Sequence, residues 1–154
     1  MAIYMQFKDV TGDATDAGHV GWCLLETLTW TKGIHKSISV DAHTSTRLPE
    51  QTDHSDLTIT KLTDGGSADM INSITQAEKG VVCTIEFVAT GAPGNVYLQI
   101  VLYDTYLVQV DIAHDSPSGR PMETWTLNFA RIDYNVWPLN PDNTQGDPKR
   151  AHWP

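Results

Sequence analysis

Apolar residues recur at every second position over much of the chain, which is the period of strands that bury one face. Trp22, Leu24, Leu28 and Trp30 share one face of such a strand. Cys23, Leu25, Thr27, Thr29 and Thr31 occupy the other, and Glu26 interrupts the apolar side. Val81, Cys83, Ile85 and Phe87 form a second series. A third runs through Val96, Leu98, Ile100, Leu102, Tyr106, Val108, Val110 and Ile112, with Asp104 marking a turn or kink inside it. Trp125, Leu127 and Phe129 alternate, and Ile132, Tyr134 and Val136 resume one step out of phase. That slip at Ala130–Arg131 predicts a β-bulge, and bulged strands suit a strongly curved or closed sheet.

One segment changes period. Met70, Ile71, Ile74 and Ala77 recur at helical spacing behind Ser67, a predicted N-cap, and Asp69, an acid suited to the first turn. Lys79 suits the last turn and Gly80 the stop, so the spacing predicts an amphipathic helix over residues 67–79. The fold class is mainly β with this one helix. Between the strands, Asp41 to Ser55 is polar and aperiodic and exceeds an ordinary strand connection, so it reads as a functional loop or interaction arm. Thr90–Asn95 and Asp115–Pro121 read as hairpin tips. Four of the eight prolines fall between Pro138 and Pro154. That tail is incompatible with a central strand or a helix, and Trp153 is its one residue suited to docking. The expected organisation is one domain over residues 1–137 and a Pro-rich tail over 138–154.

Composition narrows the functions. With 154 residues, 40% of them hydrophobic, the chain is long enough to build its own core. A net charge of −9 repels phosphate backbones and anionic lipid, which argues against nucleic-acid binding and membrane-surface roles. No apolar run is long enough to cross a bilayer as a helix, and the start of the chain lacks the pattern of a cleaved signal peptide. Export would therefore use a route that needs no such signal.

Candidate chemistry is sparse. None of His19, His35, His43, His54, His114 and His152 pairs with another at helical ligand spacing, so no metal site is predicted, although His43 and His54 flank the polar segment. Cys23 and Cys83 sit at strand positions and read as packed thiols. There is no Gly-x-Ser-x-Gly elbow and no phosphate-binding glycine loop. Neither an enzymatic activity nor a cofactor is expected. Trp137 and Trp153 lie outside the core series, which leaves a carbohydrate- or protein-binding β module as an alternative.

Several segments taken in order resemble the hemolysin-coregulated protein (Hcp) family, the tube-forming, secreted component of the bacterial type VI secretion system. They are the opening Ala2–Asp13 with its Gly-acid turn, His19–Trp30, Leu57–Ser67 with the helix behind it, Tyr97–Val110 and Glu123–Tyr134. Two features depart from the family pattern: Thr31, Lys32 and Gly33 follow Trp30, and the tail after Trp137 matches nothing in it. The resemblance implies a small β-barrel of two antiparallel sheets with one flanking helix. It also implies hexameric rings that stack into a tube, with a lumen able to carry and protect effector proteins. Spike, sheath and effector proteins are the implied partners. The implied location is cytoplasmic during assembly and extracellular afterwards. By the same resemblance Thr27, Thr29 and Thr31 look into the lumen. The long arm, with His43, Thr46, Arg47, Leu48, Glu50 and His54, reaches a neighbouring subunit. A phage-type tail tube protein is an alternative of similar architecture.

Overall fold

A computed structural model describes residues 1–76, 78–91, 94–114, 119–142 and 144–154. The strands are β1 (Ala2–Phe7), β2 (Cys23–Leu25), β3 (Thr27–Thr29), β4 (Ile34–Val40), β5 (Arg47–His54), β6 (Leu57–Leu62), β7 (Val81–Val88), β8 (Val96–Ala113), β9 (Met122–Asn128), β10 (Arg131–Val136) and β11 (Lys149–Trp153). Among the described residues the one helix is α1 (Ser67–Thr75). All pairings are antiparallel. One sheet, A, runs β2-β1-β7-β8-β10-β11. A second, B, runs β8-β9-β6-β3, and β4 and β5 form a separate two-stranded ribbon.

The sheets are joined by strands that change sheet at a corner, and each corner is a break in the apolar alternation. Strand β8 spends its first half in sheet A and its second in sheet B, and bends at Asp104, whose φ is 53°. Aspartate is among the few non-glycine residues that take this left-handed conformation routinely. The bend flips the inward parity: Ile100 and Leu102 are buried before it, Leu107 after it. Tyr106 and Val108 therefore face solvent, contrary to the single continuous face expected of this series. A register shift between Leu107 and Gln109 then returns Val110 to the core side.

The slip at Ala130–Arg131 is likewise a corner and not a bulge. Strand β9 ends in sheet B, the Ala130 amide donates to the Tyr103 carbonyl at 3.0 Å, and β10 begins in sheet A. Glu26 is the third corner. Cys23 and Leu25 point inward from β2, opposite to the expected face, while Leu24 is exposed and Leu28 and Trp30 pack inward beyond the corner. The Glu26 amide donates to the Thr60 carbonyl at 2.8 Å, which carries the chain across to sheet B.

The result is the expected pair of antiparallel sheets with a flanking helix, left open at β2, β11 and β3 and not closed into a barrel. Met5, Phe7, Ile59, Cys83, Ile85, Leu102, Trp125 and Leu127 form its centre, with Met70 of α1 packed against it. The helix is shorter than expected: Gly66 is the N-cap, Ser67 is the first helical residue, and Gln76 caps the end. Ile71 on the expected apolar stripe is exposed, and Ala77 lies outside the described residues. Gly80 serves a different purpose from a helix stop. A Cβ there would lie 2.0 Å from Asp104 Oδ1 and 2.8 Å from the Asp104 carbonyl carbon, so only glycine fits against the β8 bend.

The segments expected as hairpin tips connect β7 to β8 and β8 to β9; within them Ala92, Pro93 and residues 115–118 lie outside the described residues. The tail first turns back on itself, with Leu139 bridged to Gln145 and the Gly146 amide donating to the Pro138 carbonyl at 2.6 Å, and ends in β11, an edge strand on β10. Trp153 packs against the core and meets His54 edge-on at a ring distance of 5.0 Å.

Candidate assembly surfaces

Two charged residues stand in inward register on otherwise apolar strands. Lys61 follows Leu57 and Ile59 on β6 and is fully buried, and Glu123 precedes Trp125 and Leu127 on β9 and is 2% exposed. Burying an unpaired charge is very costly, so each must find partners. Lys61 Nζ lies 2.9 Å from Asp64 Oδ1, 2.9 Å from Ser67 Oγ and 3.1 Å from Glu123 Oε1. Glu123 also accepts from Trp125 Nε1 at 2.9 Å, Ser67 Oγ at 3.1 Å and Thr63 Oγ1 at 2.7 Å. Burial alone pushes the Glu123 carboxyl up, but the hydrogen bonds from Thr63, Ser67, Lys61 and Trp125 together outweigh it and hold it below its ordinary range. This knot ties β6, β9 and the start of α1 together.

The Ser67–Lys61 contact resembles a nucleophile beside a base, but both groups are buried and their other hydrogen bonds are made within the fold. Their observed work is structural. Cys23 and Cys83 are free and buried; burial pushes the Cys23 thiol up to about 12 and raises Cys83 as well. Both therefore remain protonated, unreactive thiols near neutral pH.

The histidines are dispersed. His19 lies between Asp16 and Glu86, with ring nitrogens 2.8 and 2.6 Å from their carboxylates, and stacks on Tyr4. The hydrogen bond to His19 is the main reason that the Asp16 carboxyl is lowered. His54 stacks on Phe129 at 4.3 Å. Among the described residues no group of three His, Cys, Asp or Glu side chains is arranged to hold a metal ion.

The outer face of sheet B is distinctive. Thr27 pairs with Thr60 and Thr60 with Thr124, while Thr29 pairs with Thr58 and Thr58 with Thr126. Six threonines thus form two rows across three adjacent strands, with Thr27 and Thr60 hydroxyls 2.6 Å apart. Asp111 and Gln109 of β8 continue the rows. Sequence reasoning singled out Thr27, Thr29 and Thr31, all exposed here, but missed the other four. The signal was present as three Thr-x-Thr units, each with a core residue in the middle: Leu28, Ile59 and Trp125.

The polar segment expected as a loop is half of the β4–β5 ribbon, with a turn at 41–46 in which Asp41 Oδ1 accepts from the His43 and Thr44 amides at 2.7 and 3.1 Å. These bonds, His43's first, lower the Asp41 carboxyl. His43, Thr46, Arg47, Leu48 and Glu50 are all exposed on the outer part of this arm. His54 is not with them. It sits at the root, held between Phe129 and Trp153.

A family model described as "Type VI secretion system effector, Hcp" matches residues 4–136. The chain belongs to the Hcp family. It is accordingly a type VI secretion tube or effector protein, and secretion comes with that membership. Solved structures agree at the level of fold. One described as a type six secretion system protein matches at TM-score 0.90 and 16% identity, covering 99% of this chain and 94% of the other. An Hcp protein of Salmonella typhimurium matches at 0.74 and 14% identity, covering 99% and 92%. A type VI secretion system effector of Yersinia pestis matches at 0.72 and 16% identity, covering 98% of each chain. No curated protein matches in sequence.

Proposed function

We propose that this Hcp chain is the ring-forming subunit of a secretion tube: six copies close a ring, rings stack, and the outer face of sheet B lines the lumen. The observation that carries this reading is the six-threonine face. A lumen that carries varied effector proteins needs hydrogen-bonding groups without fixed charge, so that cargo is wetted but not trapped. Two rows of threonine hydroxyls supply that across β3, β6 and β9, with the Asp111 carboxylate as a charge at the β8 end of one row. Thr31, exposed just beyond β3, extends the same lining.

The arm is the second contact of a heterologous ring, in which two different surfaces of one subunit must be complementary. His43, Thr46, Arg47, Leu48 and Glu50 reach the neighbouring copy, and His54 fixes the root from which they project. Residues 1–137 form the tube-building unit, and 138–154 are an appendage whose last strand widens sheet A. Assembly takes place in the cytoplasm, with spike, sheath and effector proteins as partners, and export follows without a cleaved signal. The protein performs no chemistry of its own in this role: the Ser67–Lys61 contact is sealed in the core.

Solution mass by light scattering on a sizing column tests this reading. One chain is 17.0 kDa, so six weigh about 102 kDa. A species of that mass, ring-shaped in micrographs, is expected. Removing residues 42–45 should abolish it while the β signal in circular dichroism persists. A monomer across a wide concentration range overturns the proposal.

A further inference from the structure

Two apolar surfaces of this chain have no cover of their own. The first is a groove of about 360 Å³ at the overhanging end of sheet A, lined by Trp30, Ile34, Ile132, Tyr134, Ala151 and His152. Strand β11 borders it and pairs with β10 alone, so its other backbone edge is open. The second is strand β4. Ile34, Lys36, Ile38 and Val40 lie on one side of it, the three apolar residues 46%, 49% and 63% exposed, while His35, Ser37 and Ser39 lie on the other. The register irregularity of the ribbon places the extra residue in β5, between Pro49 and Thr52, so the alternation of β4 is unbroken. An amphipathic strand in a two-stranded ribbon has no core to face, and such ribbons are marginal in water.

We propose that the apolar face of β4 in one copy seats in the β10–β11 groove of a second copy, with Ile38 and Val40 as the inserted side chains. This rests on reading the arm as a contact between copies, and adds where it lands. Three features favour a second copy as the occupant. Pro49 has no N–H and blunts the β5 edge, which leaves β4 as the strand of the ribbon able to add to another sheet. The open edge it would meet is β11. Lys149 and Arg150 make β11 basic in a chain of net charge −9, and the arm carries three acids, Asp41, Glu50 and Asp53, against two bases, Lys36 and Arg47. Finally, Ile38 and Val40 lie outward of Ile34, which already walls the groove of its own chain, so the arm tip projects beyond its own groove.

The test uses Ser39→Cys and Arg150→Cys as separate variants of the full chain, mixed and treated with a short bis-maleimide. Cys23 and Cys83 are buried and do not compete. A covalent dimer is expected from the mixture, well above the yield from either variant alone. A ring-sized species that gives no such dimer overturns the groove assignment and leaves the ring reading standing. A monomer at every concentration overturns both. As a second measurement, the double variant Ile38→Asp, Val40→Asp should lose ring association at least tenfold with an unchanged circular dichroism spectrum, because both side chains are solvent-facing in the single chain. Retained rings count against the proposal.

Discussion

At the scale of single residues, Lys61 and Glu123 carry the sharpest expectations. Each is a buried charge whose partners are all supplied by the fold, and removing one leaves the other uncompensated. Lys61→Met should therefore cost about 3–5 kcal/mol in denaturant unfolding, whereas replacing both by apolar residues should cost much less. The pH dependence follows from the Glu123 carboxyl. Its folded value lies below the unfolded one, so its contribution is complete above the unfolded value of about 4.3 and is lost as pH falls through the folded value. Thermal melts from pH 7 to pH 3 should show the gap between the natural chain and Glu123→Gln narrowing below about pH 4.3. A gap that stays constant through that range would mean that the carboxylate is not what holds the knot. Both residues were legible in the sequence as charges in inward register, since Lys61 shares parity with Leu57 and Ile59, and Glu123 with Trp125. What was not legible is that they meet, because β6 and β9 are separated by α1, β7 and β8.

At the scale of elements, alternation located β2, β3 and β7 to β10 but not β1, β4, β5, β6 or β11, and its interruptions marked the corners. The interruptions at Glu26, Asp104 and Ala130 were all visible as residues out of phase. Their meaning depends on pairing: a bulge keeps a strand with its partner, while a corner exchanges the partner, and periodicity carries no information about partners. The arm was read as a loop for a related reason. Strand β5, Arg-Leu-Pro-Glu-Gln-Thr-Asp-His, buries no face in its own chain, so it has no apolar period to detect. The Asp104 bend supports a direct test. Gly80→Ala would push a Cβ into the Asp104 backbone and should cost about 1–3 kcal/mol, the usual range for overpacking. Asp104→Gly accepts the same φ freely and should change stability by less than about 1 kcal/mol. An alanine at position 80 without effect would show that the bend can move.

At the scale of the whole molecule, stability and assembly should be one quantity. The sandwich has open edges at β2, β3 and β11, an arm with an exposed apolar face, and a groove without a roof. Such surfaces lie in water in the single chain and leave it on ring closure, so the ring binds the folded form only, and mass action must then raise the unfolding temperature with concentration. For a six-chain ring that unfolds to separate chains, each tenfold dilution removes about 1 kcal/mol per subunit, or roughly 2–4 °C in Tm for a chain of this length. Scanning calorimetry or fluorescence melts over a hundredfold concentration range would read this shift. The Ile38→Asp, Val40→Asp variant should show a lower and concentration-independent Tm. The core is the same in both proteins, so any slope present in one and absent in the other comes from contacts between copies. A natural chain with no slope would place its stability wholly within the single sandwich. The open edges would then need a role other than ring closure.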